Sequence, residues 1–302
     1  MPRRALLVAN LQSRRAPELI KAAIERLRSH PGLKVDVADV SDASTISRII
    51  VERRETCDLV VVGGGDGTMN AAARGLLETK LPLGILPLGT ANDLARTLGI
   101  PEDLDAAAKL IAEGEPRLID VGEVNGHPFF NVASIGLSAE LAQSLTGELK
   151  KRFGRLGYAI AAMRVLSHAK PFRAAIESEL GIAKVLTLQV AVGNGRFYGG
   201  GMAIEKNAAI DDGHLDLYSL EMRRAWKLAL MARAFRYGEH GAWREVRAAQ
   251  ASEFEVRTRK EKPVNADGEI VTTTPARFRV HPKALAVYAP VSGPGLNLGA
   301  EP

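Results

Sequence analysis

The sequence predicts an α/β domain followed by a β-rich domain, and three observations carry that reading. The chain has 302 residues, enough for about two domains, each with a core of its own. Residues 4–120 alternate short apolar runs with amphipathic helical patterns, as a parallel sheet covered by helices requires. Beyond Asp120 the rhythm becomes that of alternating strands.

In order, Leu6-Leu7-Val8 reads as a strand, Glu18 to Arg28 as a helix and Val35 to Val37 as a strand. Ile46 to Arg54 follows as a helix and Asp58 to Val62 as a buried strand. A helix starts near Thr68, Leu83 to Leu86 is a strand, and helices cover Asn92 to Thr97 and Asp103 to Ala112. The second part offers strands at Val185 to Val192, His214 to Leu220, Phe254 to Arg257, Phe278 to Val280 and Ala286 to Tyr288. Two helical patterns interrupt them, one with Leu156, Ile160, Met163 and Leu166, the other with Leu228, Met231 and Phe235. The boundary is expected between Gly122 and Pro128, giving domains 1–124 and 125–289.

A hydrophobic content of 46% excludes a disordered chain, and the single cysteine, Cys57, excludes a disulfide scaffold and fits a reducing compartment. No apolar run approaches the ~20 residues of a spanning helix, and the start, Met1 to Ala5, lacks the apolar region of a leader. A cytoplasmic protein is expected. The net charge of +5 is unevenly spread: Lys150 to Arg173 holds seven basic residues and no acidic one. Met222 to Gln250 holds seven basic residues against Glu239 and Glu245. Such segregation suits an anionic partner, and it equally suits solvated helix faces.

Two loops carry the chemistry. In Val60-Val61-Val62-Gly63-Gly64-Gly65-Asp66-Gly67-Thr68-Met69-Asn70 a buried strand turns through glycines into a helix start. Glycines let backbone N–H groups approach an anion, and the helix N-terminus adds favourable partial charge. Asp66 would repel a bare phosphate, so a metal–nucleotide complex suits the loop better. It is neither a Walker loop nor Gly-x-Gly-x-x-Gly, and a tight connection capped by Asp66 is the competing reading. The second loop, Pro87-Leu88-Gly89-Thr90-Ala91-Asn92-Asp93, repeats the strand–turn–helix design. Both would open at the carboxyl ends of parallel strands, where ligands of such sheets bind.

Gly64-Gly65-Asp66-Gly67-Thr68 and Pro87 to Asp93 strongly resemble the catalytic domain of the diacylglycerol kinase-like lipid kinases, in particular their soluble bacterial branch. The resemblance continues through Ile119 to Gly122, Asn131 to Gly136, Val192 to Gly201, Asp211 to Asp216 and Asn265 to Glu269, in family order and over nearly the whole chain. It implies ATP-dependent, Mg²⁺-dependent phosphorylation of a lipid hydroxyl. The implied fold is a nucleotide-binding α/β domain similar to NAD kinases and phosphofructokinases, then a β-sandwich-like domain, with residues 290–302 returning to the first.

The resemblance places ATP against Asn10, against Gly64, Gly65, Asp66, Gly67, Thr68, Met69 and Asn70, and against Thr90. Asp66 would help hold catalytic Mg²⁺, which offsets charge on the transferred phosphoryl group. Glu269 matches the family's general base, although Asp267-Gly268-Glu269 by itself reads as a hairpin turn. Asp212 matches a second, structural Mg²⁺ site, with backbone carbonyls from Ala209 and His214 and with Asp120 in a polar network toward the nucleotide. Asp39 departs from the family at a position where relatives carry a nucleotide-contacting threonine, with Ser41 close by.

A lipid acceptor requires contact with an anionic membrane surface, for which Lys150-Lys151-Arg152-Phe153 and the tryptophans Trp226 and Trp243 are suited. Nucleic acid is not an expected partner, because the aromatics form no base-stacking pattern. A homodimer is the default expectation. Two other functions stay open: a soluble-substrate kinase of the NAD kinase type, and a non-catalytic nucleotide-binding regulator.

Overall fold

The computed structural model describes residues 2–9, 17–144, 169–198, 202–203, 208–222 and 245–296. The first part contains β1 (Arg3–Ala9), α1 (Pro17–Ser29), β2 (Leu33–Asp39), α2 (Ile46–Glu52), β3 (Leu59–Gly64), α3 (Asp66–Thr79), β4 (Leu83–Pro87), α4 (Asp93–Leu98) and α5 (Leu104–Glu113). The strands lie in the order β2-β1-β3-β4 and all are parallel. Leu59, Val60, Val61 and Val62 are wholly buried, as the unbroken apolar run of a strand covered on both faces requires. Local chemistry sets the helix ends: the Asp103 carboxylate accepts the Ala106 N–H at 2.8 Å to open α5. Gly99, at φ +72°, closes α4 in the left-handed conformation.

The second part contains β5 (Pro116–Val124), β6 (His127–Phe129), β7 (Val132–Gly136), α6 (Leu137–Ser144), β8 (Phe172–Ser178), β9 (Gly181–Thr187), β10 (Gln189–Gly193), β11 (Phe197–Tyr198) and β12 (Met202–Ala203). Then come β13 (Leu215–Leu220), β14 (Val246–Ala251), β15 (Glu253–Thr258), β16 (Pro263–Ala266), β17 (Glu269–Thr273) and β18 (Ala276–Tyr288). An antiparallel sheet, β14-β13-β10-β7-β16-β17, faces the far half of the large sheet, β18-β15-β8-β9. Phe129, Phe254, Phe278, Val190 and Leu217 fill the space between them as one core.

The halves share strands. β18 pairs antiparallel with β5 along its length and meets β4 in parallel at Val287, so one ten-stranded sheet crosses the molecule. Phe278 to Val280 and Ala286 to Tyr288, expected as two strands, are the two arms of β18, bent between His281 and Leu285. Val185 to Val192, expected as one strand, is two strands in different sheets. The break falls at Leu188, where the Thr187 hydroxyl reaches the Gln189 and Leu220 carbonyls at 2.7 and 3.0 Å. That side chain satisfies backbone groups that a continuous ladder would otherwise hold. The helical patterns at Leu156–Leu166 and Leu228–Phe235 lie outside the described residues. Among the described residues no helix is long and apolar enough to cross a membrane.

Candidate active site

Gly64, Gly65 and Asp66 leave the carboxyl end of β3, beside the loop that leaves β4. The two loops touch backbone to backbone. The Leu88 N–H donates to the Gly64 carbonyl at 3.0 Å, and a Cβ on Gly89 would lie 2.5 Å from the Gly65 Cα. Gly64 leaves room for Thr68, whose hydroxyl oxygen would be 2.4 Å from a Cβ there. Asn92, in the left-handed region at φ +51°, braces the second loop. Its Oδ1 accepts the Gly89 N–H at 2.9 Å, and its Nδ2 donates to the carbonyls of Pro87 and Gly89.

The N–H groups of Thr68 and Met69 both donate to the Gly65 carbonyl. The first N–H groups of α3, those of Asp66 and Gly67, lack intrahelical acceptors and remain for an anion. Met69 turns its side chain into the first-domain core, and its N–H is taken by the Gly65 carbonyl. Thr90 is exposed on the second loop, Gly67 is exposed in the first turn of α3, and Asn70 is half-buried on the same helix. Asn10 lies outside the described residues, as do Lys150 to Phe153, Trp226 and Trp243.

The opposite wall comes from the second domain. β16 and β17 are joined by Asp267 and Gly268, both at positive φ (47° and 100°). That is the backbone of a two-residue hairpin matched to strand twist. Glu269 follows at once and is exposed. A cavity of about 440 Å³ runs between the domains, lined by Ser44, Gly67, Asn70, Arg74, His127 and Glu269. Arg74 donates to the Gly126 carbonyl at 3.2 Å and lies 3.2 Å from the His127 Nδ1, tying α3 to the β5–β6 turn.

Asp267 is a site residue that the sequence reading passed over. Its carboxylate accepts the N–H groups of Phe130 (2.6 Å), Asn131 (3.0 Å) and Val132 (3.0 Å). Burial pushes its pKa up to about 6, the three N–H groups oppose that rise and the charge of Asp66 adds to it. Its signal in the sequence was a lone Asp in a turn, which says nothing of contacts more than 130 residues away.

Asp66 accepts the Leu94 N–H at 3.2 Å through Oδ1. Its charge makes the smallest of the contributions that raise the pKa of the half-buried Asp267 carboxyl, and its own carboxylate is the hard oxygen donor that Mg²⁺ takes. The second group centres on the Asp212-Gly213 turn. Asp212 accepts the His214 N–H at 2.9 Å and the Gln250 Nε2–H at 3.3 Å, and burial raises its pKa. Asp120, almost fully buried, accepts the Gly213 N–H (2.6 Å) and the Lys283 N–H (2.7 Å), and burial raises its pKa as well. Among the described residues no three His, Cys, Asp or Glu side chains converge as metal ligands. A cation at this turn would therefore take the Asp212 carboxylate together with main-chain oxygens such as those of Ala209 and His214, a hard donor set that fits Mg²⁺. From Asp120 the polar chain runs on: Asn194 Nδ2 donates to the carbonyls of Asp120 and Phe130, and the Phe130 N–H donates to Asp267.

A nucleotide-type α/β domain and a β-sandwich thus enclose paired glycine loops and acidic groups. Residues 4–124 match the diacylglycerol kinase catalytic domain, and residues 131–289 match the YegS C-terminal NAD kinase beta sandwich-like domain. Diacylglycerol kinase of Bacillus subtilis (strain 168) is 33% identical over 73% of this chain and 74% of its own. The Klebsiella pneumoniae (strain 342) protein named probable lipid kinase YegS-like is 32% identical over 97% of this chain and 98% of its own. A crystal structure from Bacillus anthracis str. Sterne, described as a candidate diacylglycerol kinase, superposes with a TM-score of 0.81, at 26% identity and 95% coverage of each chain. The chain belongs to the family of YegS-like and diacylglycerol kinase-like lipid kinases.

Proposed function

We propose that this protein transfers the γ-phosphoryl group of ATP to the hydroxyl of a diacylglycerol-like lipid. One observation carries the proposal: Glu269 of the second domain and Gly67 and Asn70 of the glycine-loop helix line the same interdomain cavity. The nucleotide lies along Gly64 to Asn70 and Thr90, with Asn10 completing the contact, and the N–H groups of Asp66 and Gly67 meet its phosphates. Asp66 would hold Mg²⁺, which supplies charge neutralisation at the phosphates. The Glu269 carboxylate takes the proton of the acceptor hydroxyl as its oxygen bonds to the γ-phosphorus and the bond to ADP breaks. Asp212, with the carbonyls of Ala209 and His214, would hold a second Mg²⁺ that secures the turn beside Asp120. The acceptor is met at an anionic membrane surface through peripheral contact, which the basic segments of the sequence suit.

The test is transfer of labelled γ-phosphate from Mg-ATP to mixed-lipid micelles by wild type and by Glu269→Gln. Labelled lipid from the wild type, reduced about 100-fold or more in the variant, is the expected outcome. Lipid product unaffected by the substitution removes Glu269 from the chemistry. Labelling of a soluble acceptor and of no lipid would favour the NAD kinase type of activity.

A further inference from the structure

The Glu269 carboxylate has no hydrogen-bond or ion-pair partner among the described residues, so its place is set by its backbone. That backbone leaves a turn of two residues, in which Asp267 (φ +47°) and Gly268 (φ +100°) take the conformations that an Asp-Gly pair favours in such a hairpin. What ties the turn to the rest of the domain is the Asp267 side chain. Three consecutive N–H groups, those of Phe130, Asn131 and Val132, converge on its two oxygens at 2.6 to 3.0 Å. The Asp267 N–H donates back to the Val132 carbonyl at 3.0 Å, and the Gly268 N–H donates to the Asn265 Oδ1 at 3.1 Å. Each half of the turn is thereby fixed to a different neighbour: Asp267 to the start of β7, Gly268 to β16.

We propose that Asp267 is the positioning residue of the reaction: its carboxylate, pinned by the 130–132 amides, sets where Glu269 meets the acceptor hydroxyl. This rests on the lipid kinase reading above. Charge-assisted bonds to a carboxylate are short and directional, and three of them from the bend between β6 and β7 leave the turn a single orientation. Substitution by Ala strands three N–H groups. Asn keeps an oxygen for two of them but turns an NH₂ toward the third, so the two variants are graded. Since Asp267 acts through Glu269, its loss matters only while Glu269 is present to be misplaced.

The experiment is a double-mutant cycle of Asp267→Asn and Asp267→Ala with Glu269→Gln, read as kcat and KM for ATP, beside amide hydrogen exchange over residues 129–134. With Glu269 in place, kcat should fall about 100-fold in Asp267→Ala and less in Asp267→Asn, with KM for ATP changed less than about twofold. In the Glu269→Gln background either substitution should add less than about twofold. Exchange at residues 130–132 should quicken in both variants. Additive losses in the two backgrounds, or a rise in KM for ATP that matches the fall in kcat, would make Asp267 merely structural and overturn the proposal. Unchanged exchange at 130–132 would overturn it too. Should the alanine variant fail to fold, the asparagine variant carries the same cycle. If the wild type phosphorylates no lipid, the lipid kinase reading is what fails, and exchange by itself decides whether Asp267 holds the turn.

Discussion

Replacing Gly89 by Ala tests whether the two glycine loops must touch for the site to exist. A Cβ at position 89 would lie 2.5 Å from the Gly65 Cα, 2.5 Å from the Asn92 Oδ1 and 3.2 Å from the Gly65 nitrogen. Carbon atoms pack at about 3.5–4.0 Å, so one loop must retreat by about 1 Å. The obstacle is backbone held by the Leu88-to-Gly64 hydrogen bond and by Asn92, and no side-chain rotation relieves it. Overpacking of this kind costs about 1–3 kcal/mol, which lowers the Tm of a chain of this size by several degrees. A misplacement of about 1 Å costs about 100-fold in turnover. Gly67→Ala is the internal control. A Cβ there meets nothing within 4 Å and sits in the first turn of α3, so stability should hold or rise by roughly 0.5 kcal/mol. The assays are thermal unfolding on both variants and kcat/KM for ATP on Gly89→Ala. Wild-type Tm and wild-type kcat/KM in Gly89→Ala would refute the close contact of the loops as the basis of the site.

Asp120→Asn should destabilise the protein by about 1–3 kcal/mol in urea unfolding, because an NH₂ group would face the N–H of either Gly213 or Lys283 in a buried place. Thr187→Val should cost a similar roughly 1–3 kcal/mol by the same measurement, since the buried hydroxyl joins the Gln189 and Leu220 carbonyls where β9 gives way to β10. Asp58 is held down to about pKa 2 by its hydrogen bonds and ion pair with Arg4, below its ordinary 3.8. The stabilisation is present above the ordinary value and lost as pH falls through the depressed one. The small gap in urea midpoint between wild type and Asp58→Asn should therefore be level from about pH 7 to 5 and close between about pH 4 and 2. A gap that widened on acidification would reverse the sign.

Much of the architecture was legible because its signals are local. Leu59 to Val62 has the unbroken apolar run of a doubly covered strand, and Asp103 before an amphipathic stretch is a cap whatever lies elsewhere in the chain. The glycine motifs likewise announced a turn that needs close backbone approach. Leu188 and His281 to Leu285 were not legible. The alternation of Val185 to Val192 is uninterrupted, and the break comes from the Thr187 hydroxyl meeting a carbonyl 33 residues away. The bend in β18 is likewise held by Asp120, 163 residues before Lys283.

The candidate site divides the same way. Which residue types could meet phosphate followed from Gly64 to Asn70 in the sequence, whereas Glu269, in what reads locally as a hairpin turn, was singled out by the family resemblance. That Met69 turns into the core while Gly67 and Asn70 face the cavity was set by the 3.6-residue turn of α3 once its packing face was chosen. That Asp267 grips the amides of residues 130–132 was decided by tertiary structure. Hydrogen-bond partners far apart in the chain become neighbours only after two sheets have closed on a shared core, and local sequence pattern carries no information about that closure.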